Sequence, residues 1–556
     1  MTSPSGKTAG GARTTLIPGV EVPAAALTET ARGVLTSEAV TFLAELQRKL
    51  GPERQKLLAA RHERQKAYDA GELPGYLDRG SEAASGNWKV APIPQDLLCR
   101  RVEMTGPVNS AKMVINMLAR NAEGARSDCS MVDFEDALKP SWSNIMDGMV
   151  NIQAVARGKL EHVDAARPGR PEKVYRLDPN DSAVMIVRPR GLHLTETNVL
   201  VDGHPMSGSL FDLGLSFFQI AQDLIRRGKT PAYYIPKTEH HLEARWWNSV
   251  FSLAEDKLGV KRGTLKATFL IETLPAAYQM EEILFEIREH AAGLNVGRWD
   301  KIFSDIKTLK MHKDRVLADR ASISMTQPWM ANYALRCVKV CHARGAFGMG
   351  GMAAFTPGKS KELRDQQIAK VVADKKLEAS IGHDGCWVSH PYFIGPAMSA
   401  FTRTNQLDVL HEDKDKYPDL MPKPIGPKTL GGLRTNVRVG IGYMEGWIRD
   451  IGCVAWDNLM EDLATLEISR AQTWQWMHHG IRLDDGPNVD ERLIRKTFDE
   501  ELARIVEQDA AGFADERGVS RQEVVQSFET AAKRAADIFT ERNMREFLFL
   551  ASDPVA

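Results

Sequence analysis

Cysteine is scarce in this sequence, at 6 of 556 residues. Cys99, Cys129, Cys337, Cys341, Cys386 and Cys453 form no Cys-x-x-Cys pair. That argues against a disulfide framework and a zinc ribbon, and leaves the thiols free in a reducing compartment. No run of about 18 apolar residues occurs, so no transmembrane helix and no membrane partner are expected. An excess of charge is also missing: 72 Lys+Arg against 73 Asp+Glu leave a net charge of −1. Without a global basic field, nucleic acid is not an expected partner, and any anionic ligand must be gripped locally. No internal repeat, no helix-opening GxGxxG and no P-loop are present, which removes solenoids and the common nucleotide motifs.

The remaining composition, 43% hydrophobic and 26% charged, is that of an ordinary globular chain. Residues 1–20 are rich in Ser, Thr, Gly and Ala and read as a disordered tail rather than a transit peptide. The end, Asp553-Pro554-Val555-Ala556, is not a Ser-Lys-Leu peroxisomal address. Residues 21–104 begin with helical spacing at Leu43, Leu46, Leu50, Leu57 and Leu58, interrupted by Pro, Gly and Ser from Leu73 to Pro94. Between 105 and 395, short apolar runs end abruptly on polar residues. Ser130-Met131-Val132 meets Asp133, Val184-Met185-Ile186-Val187 meets Arg188, Ala232-Tyr233-Tyr234-Ile235 meets Pro236-Lys237, and Thr268-Phe269-Leu270-Ile271 meets Glu272. Helical patterns lie between several of them, as at Ala277, Met280, Ile283, Leu284 and Ile287. Buried strands alternating with helices imply a parallel sheet, and charge collected at strand ends favours a (β/α)8 barrel over a doubly wound sheet. Residues 396–440 read as a loop-rich connection and 441–556 as a helical domain, with a capping box at Ser520-Arg521-Gln522-Glu523.

Four groups of residues could carry chemistry. Asp133-Phe134-Glu135-Asp136, Glu272 and Asp300 offer hard oxygen donors without a His or Cys cluster, which suits Mg2+; the competing reading is that each acid caps a helix or pairs with a base. Arg188 and Arg190, in Val187-Arg188-Pro189-Arg190-Gly191, could stabilise an oxyanion or form structural salt bridges. Gly348-Met349-Gly350-Gly351-Met352 could seat a ligand or make a tight turn, and His383-Asp384-Gly385-Cys386-Trp387 reads as a turn. Leu459 to Arg470 reads as the beginning of a helix, with Glu461 and Asp462 as acids at its start. These residues describe a barrel enzyme acting on a small anionic substrate and no named reaction.

From Thr105 to His479 the sequence resembles the malate synthase family, A-type. The segments that carry the resemblance are TGPVNSAKMVINMLA, DFEDALKPSW, VRPRGLHLTE, PKTEHHLEARWWNSVF, ATFLIETLPAAYQMEEIL, HAAGLNVGRWDKIFS, MGGMAAF, GHDGCWVSHP and NLMEDLATLEISRAQTWQW. The resemblance implies a (β/α)8 TIM barrel with an N-terminal helical clasp and a C-terminal all-helical domain that closes the site. It implies condensation of acetyl-CoA with glyoxylate and hydrolysis to malate and CoA, in a cytoplasmic enzyme for which a monomer is favoured. Asp462 is then the base, Arg188 its catalytic partner, Glu272 and Asp300 the Mg2+ ligands, and Gly297, Arg298 and Trp299 the glyoxylate-binding segment. Asp133, Glu135 and Arg190 are candidate supporting residues. Cys386, Ser389, Lys301 and Tyr278 depart from the family pattern without removing any of these groups. Two alternatives are a malyl-CoA or citryl-CoA lyase on the same barrel and a catalytically silent binding protein.

Overall fold

A computed structural model describes residues 12–166 and 171–548. Eight parallel strands close into a barrel in chain order: β1 (Val102–Pro107), β2 (Cys129–Asp133), β3 (Val184–Arg188), β4 (Ala232–Ile235), β5 (Lys266–Ile271), β6 (Ala291–Val296), β7 (Phe347–Ala353) and β8 (Gly385–Val388). Almost every residue in them is buried, as strands covered on both faces require, which is why they read as unbroken apolar runs. Met131, Ile186, Tyr234, Leu270 and Trp387 fill the interior. Lower in the barrel Arg100 is held by Glu103 at 2.7 Å, Thr268 at 2.9 Å and Tyr234 at 2.8 Å. This interior is a packed core, so ligands are confined to the rim at the strand C-termini.

Ladder register brings the charged strand ends together. Asp133 on β2 pairs with Arg188 on β3, and Ile271 on β5 pairs with Val296 on β6, so Glu272 and Gly297 emerge side by side.

The N-terminal region is dominated by α1 (Ser37–Asp69), 33 residues long, whose buried face carries arginines as well as leucines. Arg54 donates to the carbonyls of Leu192 and Leu194 at 2.6 and 2.8 Å, tying the helix to the loop after β3. The disordered tail expected over residues 1–20 is corrected from residue 13 onward. Arg13–Ile17 and Val20–Pro23 form a hairpin that joins Thr195–Val201 through Val20 and Val201. β-Branched Thr14, Thr15 and Ile17 supplied a strand signal, and the strand on which the hairpin docks lies far away in sequence. Residues 1–11 lie outside the described residues.

Beyond the barrel, α2 (Arg298–Thr308) follows β6. α3 (Leu430–Ile448) begins inside the stretch expected to be loop, because Thr429 caps it through Gly432 N at 2.9 Å. α3 packs with Glu491–Gln508 and Arg521–Phe539 around a second core containing Val437, Tyr443, Phe498 and Phe528. The C-terminal region is not all helical. Val454–Trp456 and Leu459–Glu461 form a hairpin, and α4 (Leu463–His478) starts only after Asp462. The Gly-Met-Gly-Gly-Met segment is not a turn but the body of β7, where Gly351 N donates to Glu378 at 2.9 Å. Likewise Gly385-Cys386-Trp387 belongs to β8, which passes so close to Arg100 that a Cβ on Gly385 would sit 1.8 Å from its carbonyl oxygen. Among the described residues no helix is long and apolar enough to cross a membrane.

Candidate active site

Arg188 ends β3 and is 3% exposed, with its guanidinium against the turn after β2. Its Nε donates to Asp133 Oδ1 at 2.7 Å, and its Nη2 donates to Asp133 Oδ2. Asp133 is fixed in turn by the amides of Glu135 at 2.8 Å and Ala137 at 2.9 Å, so the tight Asp-Phe-Glu-Asp turn organises itself around this side chain. Nη1 of Arg188 stands 3.8 Å from both Glu135 and Asp136.

Glu272 follows β5 directly and is 2% exposed. Asp300 sits in the first turn of α2, next to Glu272 because Gly297 permits close approach. A Cβ on Gly297 would lie 2.8 Å from Glu272 Cβ and 2.9 Å from its Oε2. The Gly297 amide donates to Tyr333 Oη at 3.1 Å, so it is already engaged. No side chain caps α2, which leaves the first-turn amides and the positive end of the helix facing the rim. Arg298 donates to the Ile323 carbonyl at 2.7 Å, and Trp299 is flanked by the guanidinium groups of Arg298 and Arg320 at 4.6 and 5.5 Å.

Lys237 ties these parts together. Its amide donates to Glu272 Oε1 at 2.8 Å. Its ammonium bonds Asp136, and lies 3.3 Å from Glu135 and 3.4 Å from Asp300. Burial pulls Lys237 down, but Asp136, Asp300 and Glu135 outweigh it and hold the ammonium well above its usual range. The acids move the other way. Burial, reinforced by neighbouring carboxylates, raises Glu135 and Asp300 well above their usual values and raises Glu272 less far.

Asp462 reaches this centre from the C-terminal domain. It caps α4 in a reciprocal box with Thr465, at 3.3 Å and 3.0 Å. The hairpin before it is stitched to the barrel rim: Met460 N donates to Ala354 O at 2.7 Å, Leu463 N to Asp136 O at 3.2 Å, and Thr356 N to Asn458 O at 3.0 Å. Arg320 adds a contact to Glu461 at 3.5 Å. Asp462 is half-buried on the wall of a cavity of about 560 Å³ that also involves Met113, Arg120, Met352, Pro391 and Cys453. Burial pushes Asp462 up to about 7; Asp136 adds to the rise, and Arg188 and Lys237 oppose it.

Arg188, Glu272, Asp300 and Asp462 thus meet at one rim, with Asp133 and Glu135 beside them. Arg190 stands apart. It is consumed by Asp212 at 2.7 and 2.8 Å and Glu196 at 3.0 Å, which makes it a structural ion pair. Sequence reasoning did not single out Lys237 or the individual role of Asp136. The signal existed for Lys237, since a polar residue after a buried strand is the rule that selected Arg188 and Glu272.

The donor set is compatible with a divalent cation. Six carboxylates (Asp133, Glu135, Asp136, Glu272, Asp300, Asp462) face two bases. Asp300 Oδ1, Asp136 Oδ1 and Glu135 Oε1 are buried without a hydrogen bond. Among the described residues no three His, Cys, Asp or Glu side chains enclose a cation by themselves. Magnesium needs only one or two carboxylates when water and substrate complete its shell.

Comparison with known proteins agrees with this architecture. Residues 20–80, 184–420 and 427–552 match the malate synthase N-terminal, TIM-barrel and C-terminal domain families. The chain is 45% identical to malate synthase A of Escherichia coli over 529 residues, covering 94% of this chain and 95% of that one. It is 47% identical to malate synthase of Myxococcus xanthus over 86% of this chain and 87% of that one, and 43% identical to malate synthase of Arabidopsis thaliana over 85% of each. With a closed barrel, its acids and arginine gathered at the strand ends, and a C-terminal helix delivering Asp462 to them, the chain belongs to the malate synthase family.

Proposed function

We propose that this protein condenses acetyl-CoA with glyoxylate and hydrolyses the product to malate and CoA, with Mg2+ as cofactor, in the cytoplasm. The observation that carries the reading is Asp462, a carboxyl raised to about 7, on a cavity wall and within the field of Arg188. Removing a methyl proton from a thioester is hard because the carbanion is high in energy. A base with a pKa near the working pH, facing a fixed cation, addresses both sides of that problem.

Asp462 takes the proton from the methyl carbon of acetyl-CoA. Arg188, locked by two bonds to Asp133, directs Nη1 toward the enolate oxygen as charge develops there. The amides of Arg298 and Trp299, at the open end of α2, receive the glyoxylate carboxylate. Glu272 and Asp300 are the residues to hold Mg2+, which when bound supplies positive charge for the aldehyde oxygen. The enolate carbon attacks the aldehyde carbon, the C=O electron pair moves onto oxygen, and that oxygen takes up one proton to give malyl-CoA. Water then cleaves the thioester, which makes the sequence effectively one-way. The 560 Å³ cavity would take the acyl-thioester arm, with Asp462 at its reactive end and Arg120 and Lys173 as cations for the CoA phosphates.

The test supplies acetyl-CoA, glyoxylate and Mg2+ and follows free thiol. Thiol release that needs all three is expected. Malyl-CoA that accumulates without free thiol would reject hydrolysis and select the lyase reading.

A further inference from the structure

Of the non-glycine residues with positive φ among the described residues, Lys237 alone is buried. The others are Asp202, His411, Asp450, Asp457 and Asn458, all at least partly exposed and mostly of the types that tolerate this region. A lysine held at φ 50° inside a protein is strained and persists only when its surroundings over-determine it. They do so here at three points. The Lys237 amide is bonded to Glu272 at 2.8 Å. Its carbonyl accepts from Arg61 Nη2 of α1 at 2.7 Å, and Arg61 is itself locked by Glu243 at 2.7 and 2.8 Å. The ammonium bonds Asp136 and lies near Glu135 and Asp300.

We propose that Lys237 is a positioning residue for the reaction, an internal counter-ion that neutralises Glu135 and Asp136 beside Asp300 and leaves one cation position between Asp300 and Glu272. Arg61 acts through it by clamping the strained peptide. The N-terminal helix is in this way coupled to the reaction centre without touching substrate. The chemistry follows from charge placement. Without the ammonium, three buried carboxylates face one another with only Arg188 to compensate them, and an incoming cation is drawn toward Glu135 and Asp136 as strongly as toward Glu272. A misplaced cation cannot serve the aldehyde, and a displacement near 1 Å costs about 10²-fold in rate.

This inference rests on the reading of Glu272 and Asp300 as magnesium ligands, and its test separates the two. Lys237→Met, Lys237→Arg and Lys237→Gly are compared with the full-length protein by three readouts: melting temperature, Mg2+ binding by calorimetry without substrate, and kcat. Glycine adopts φ 50° without strain, so Lys237→Gly guards against misfolding. The expected result for Lys237→Met and Lys237→Gly is Mg2+ binding retained or tightened, because a positive charge has left the acids, with kcat down by about 10²-fold. Lys237→Arg keeps the charge and should retain at least about tenfold more kcat than Lys237→Met. Turnover within about twofold of wild type in both Lys237→Met and Lys237→Gly overturns the proposal. So does loss of Mg2+ binding in step with melting temperature, which assigns Lys237 to the scaffold. Absence of Mg2+ binding in the wild-type protein instead overturns the magnesium reading, and the proposal that rests on it falls as well.

Discussion

The amide of Leu463 donates to the carbonyl of Asp136 across 3.2 Å, joining the first residue of α4 to the acidic turn after β2. These residues are far apart in the chain, yet this bond places the carboxyl of Asp462 beside the turn that anchors Arg188. Under the proposed function, the base on one domain and its cation on another are thereby brought together before substrate arrives. Preorganisation of this kind is what electrostatic catalysis requires.

Replacing Asp462 by asparagine separates chemistry from architecture. Asparagine caps a helix about as well as aspartate, so melting temperature should change little. Turnover should fall by about 10²–10⁴-fold, the usual contribution of a general base. Thiol release from acetyl-CoA is the measurement, and retention of more than about a tenth of wild-type rate removes Asp462 from the role of base.

Glu272→Gln and Asp300→Asn should each weaken Mg2+ binding by at least about tenfold, since each deletes one charged donor from a cation that takes few protein ligands. Calorimetric titration without substrate reads this directly. An unchanged binding curve for either variant removes that residue as a ligand.

The raised Asp462 carboxyl has a pH signature with a definite sign. Its value in the folded protein is about 7 against the usual 3.8, so the folded state holds the proton more tightly than the unfolded chain. The stabilising contribution is complete below 3.8 and is lost as pH rises to about 7. Metal-free wild type should therefore lose melting temperature relative to Asp462→Asn across that window. Parallel curves would contradict burial as the cause. In the assay kcat/KM should fall on acidification below about 7, with the limb moved lower by Mg2+, whose charge favours the carboxylate.

Arg188→Lys should behave as a severe substitution. The planar fork that holds both Asp133 oxygens through Nε and Nη2 while Nη1 faces Glu135 and Asp136 cannot be reproduced by one ammonium. A fall in kcat of about 10²-fold or more is expected, with the circular dichroism spectrum unchanged.

Gly452→Ala tests domain docking away from the chemistry. A Cβ there would sit 2.2 Å from the backbone of Leu138 and Lys139, where the segment before the C-terminal hairpin crosses the turn after β2. The hairpin must shift and carry Asp462 with it. Activity should drop by about tenfold or more while each domain keeps its fold, readable as a kcat loss with little change in Mg2+ binding.

Local sequence determined much of this molecule. Buried strands wrote themselves as apolar runs ending on Asp133, Arg188 and Glu272, because a parallel strand covered on both faces admits polar side chains only at its ends. The capping box of Ser520 and Glu523 was legible for the same local reason. Tertiary structure alone decided that Lys237 sits among three acids, that Arg190 is taken by Asp212, that the N-terminal hairpin docks on Thr195–Val201, and that the hairpin before Asp462 is stitched to the barrel rim. Each depends on a partner remote in the chain, and side-chain periodicity carries information about which face is buried but none about what lies against it. The convergence of Arg188, Glu272, Asp300 and Asp462 was imposed by barrel closure and domain docking, which bring together residues that no local rule connects.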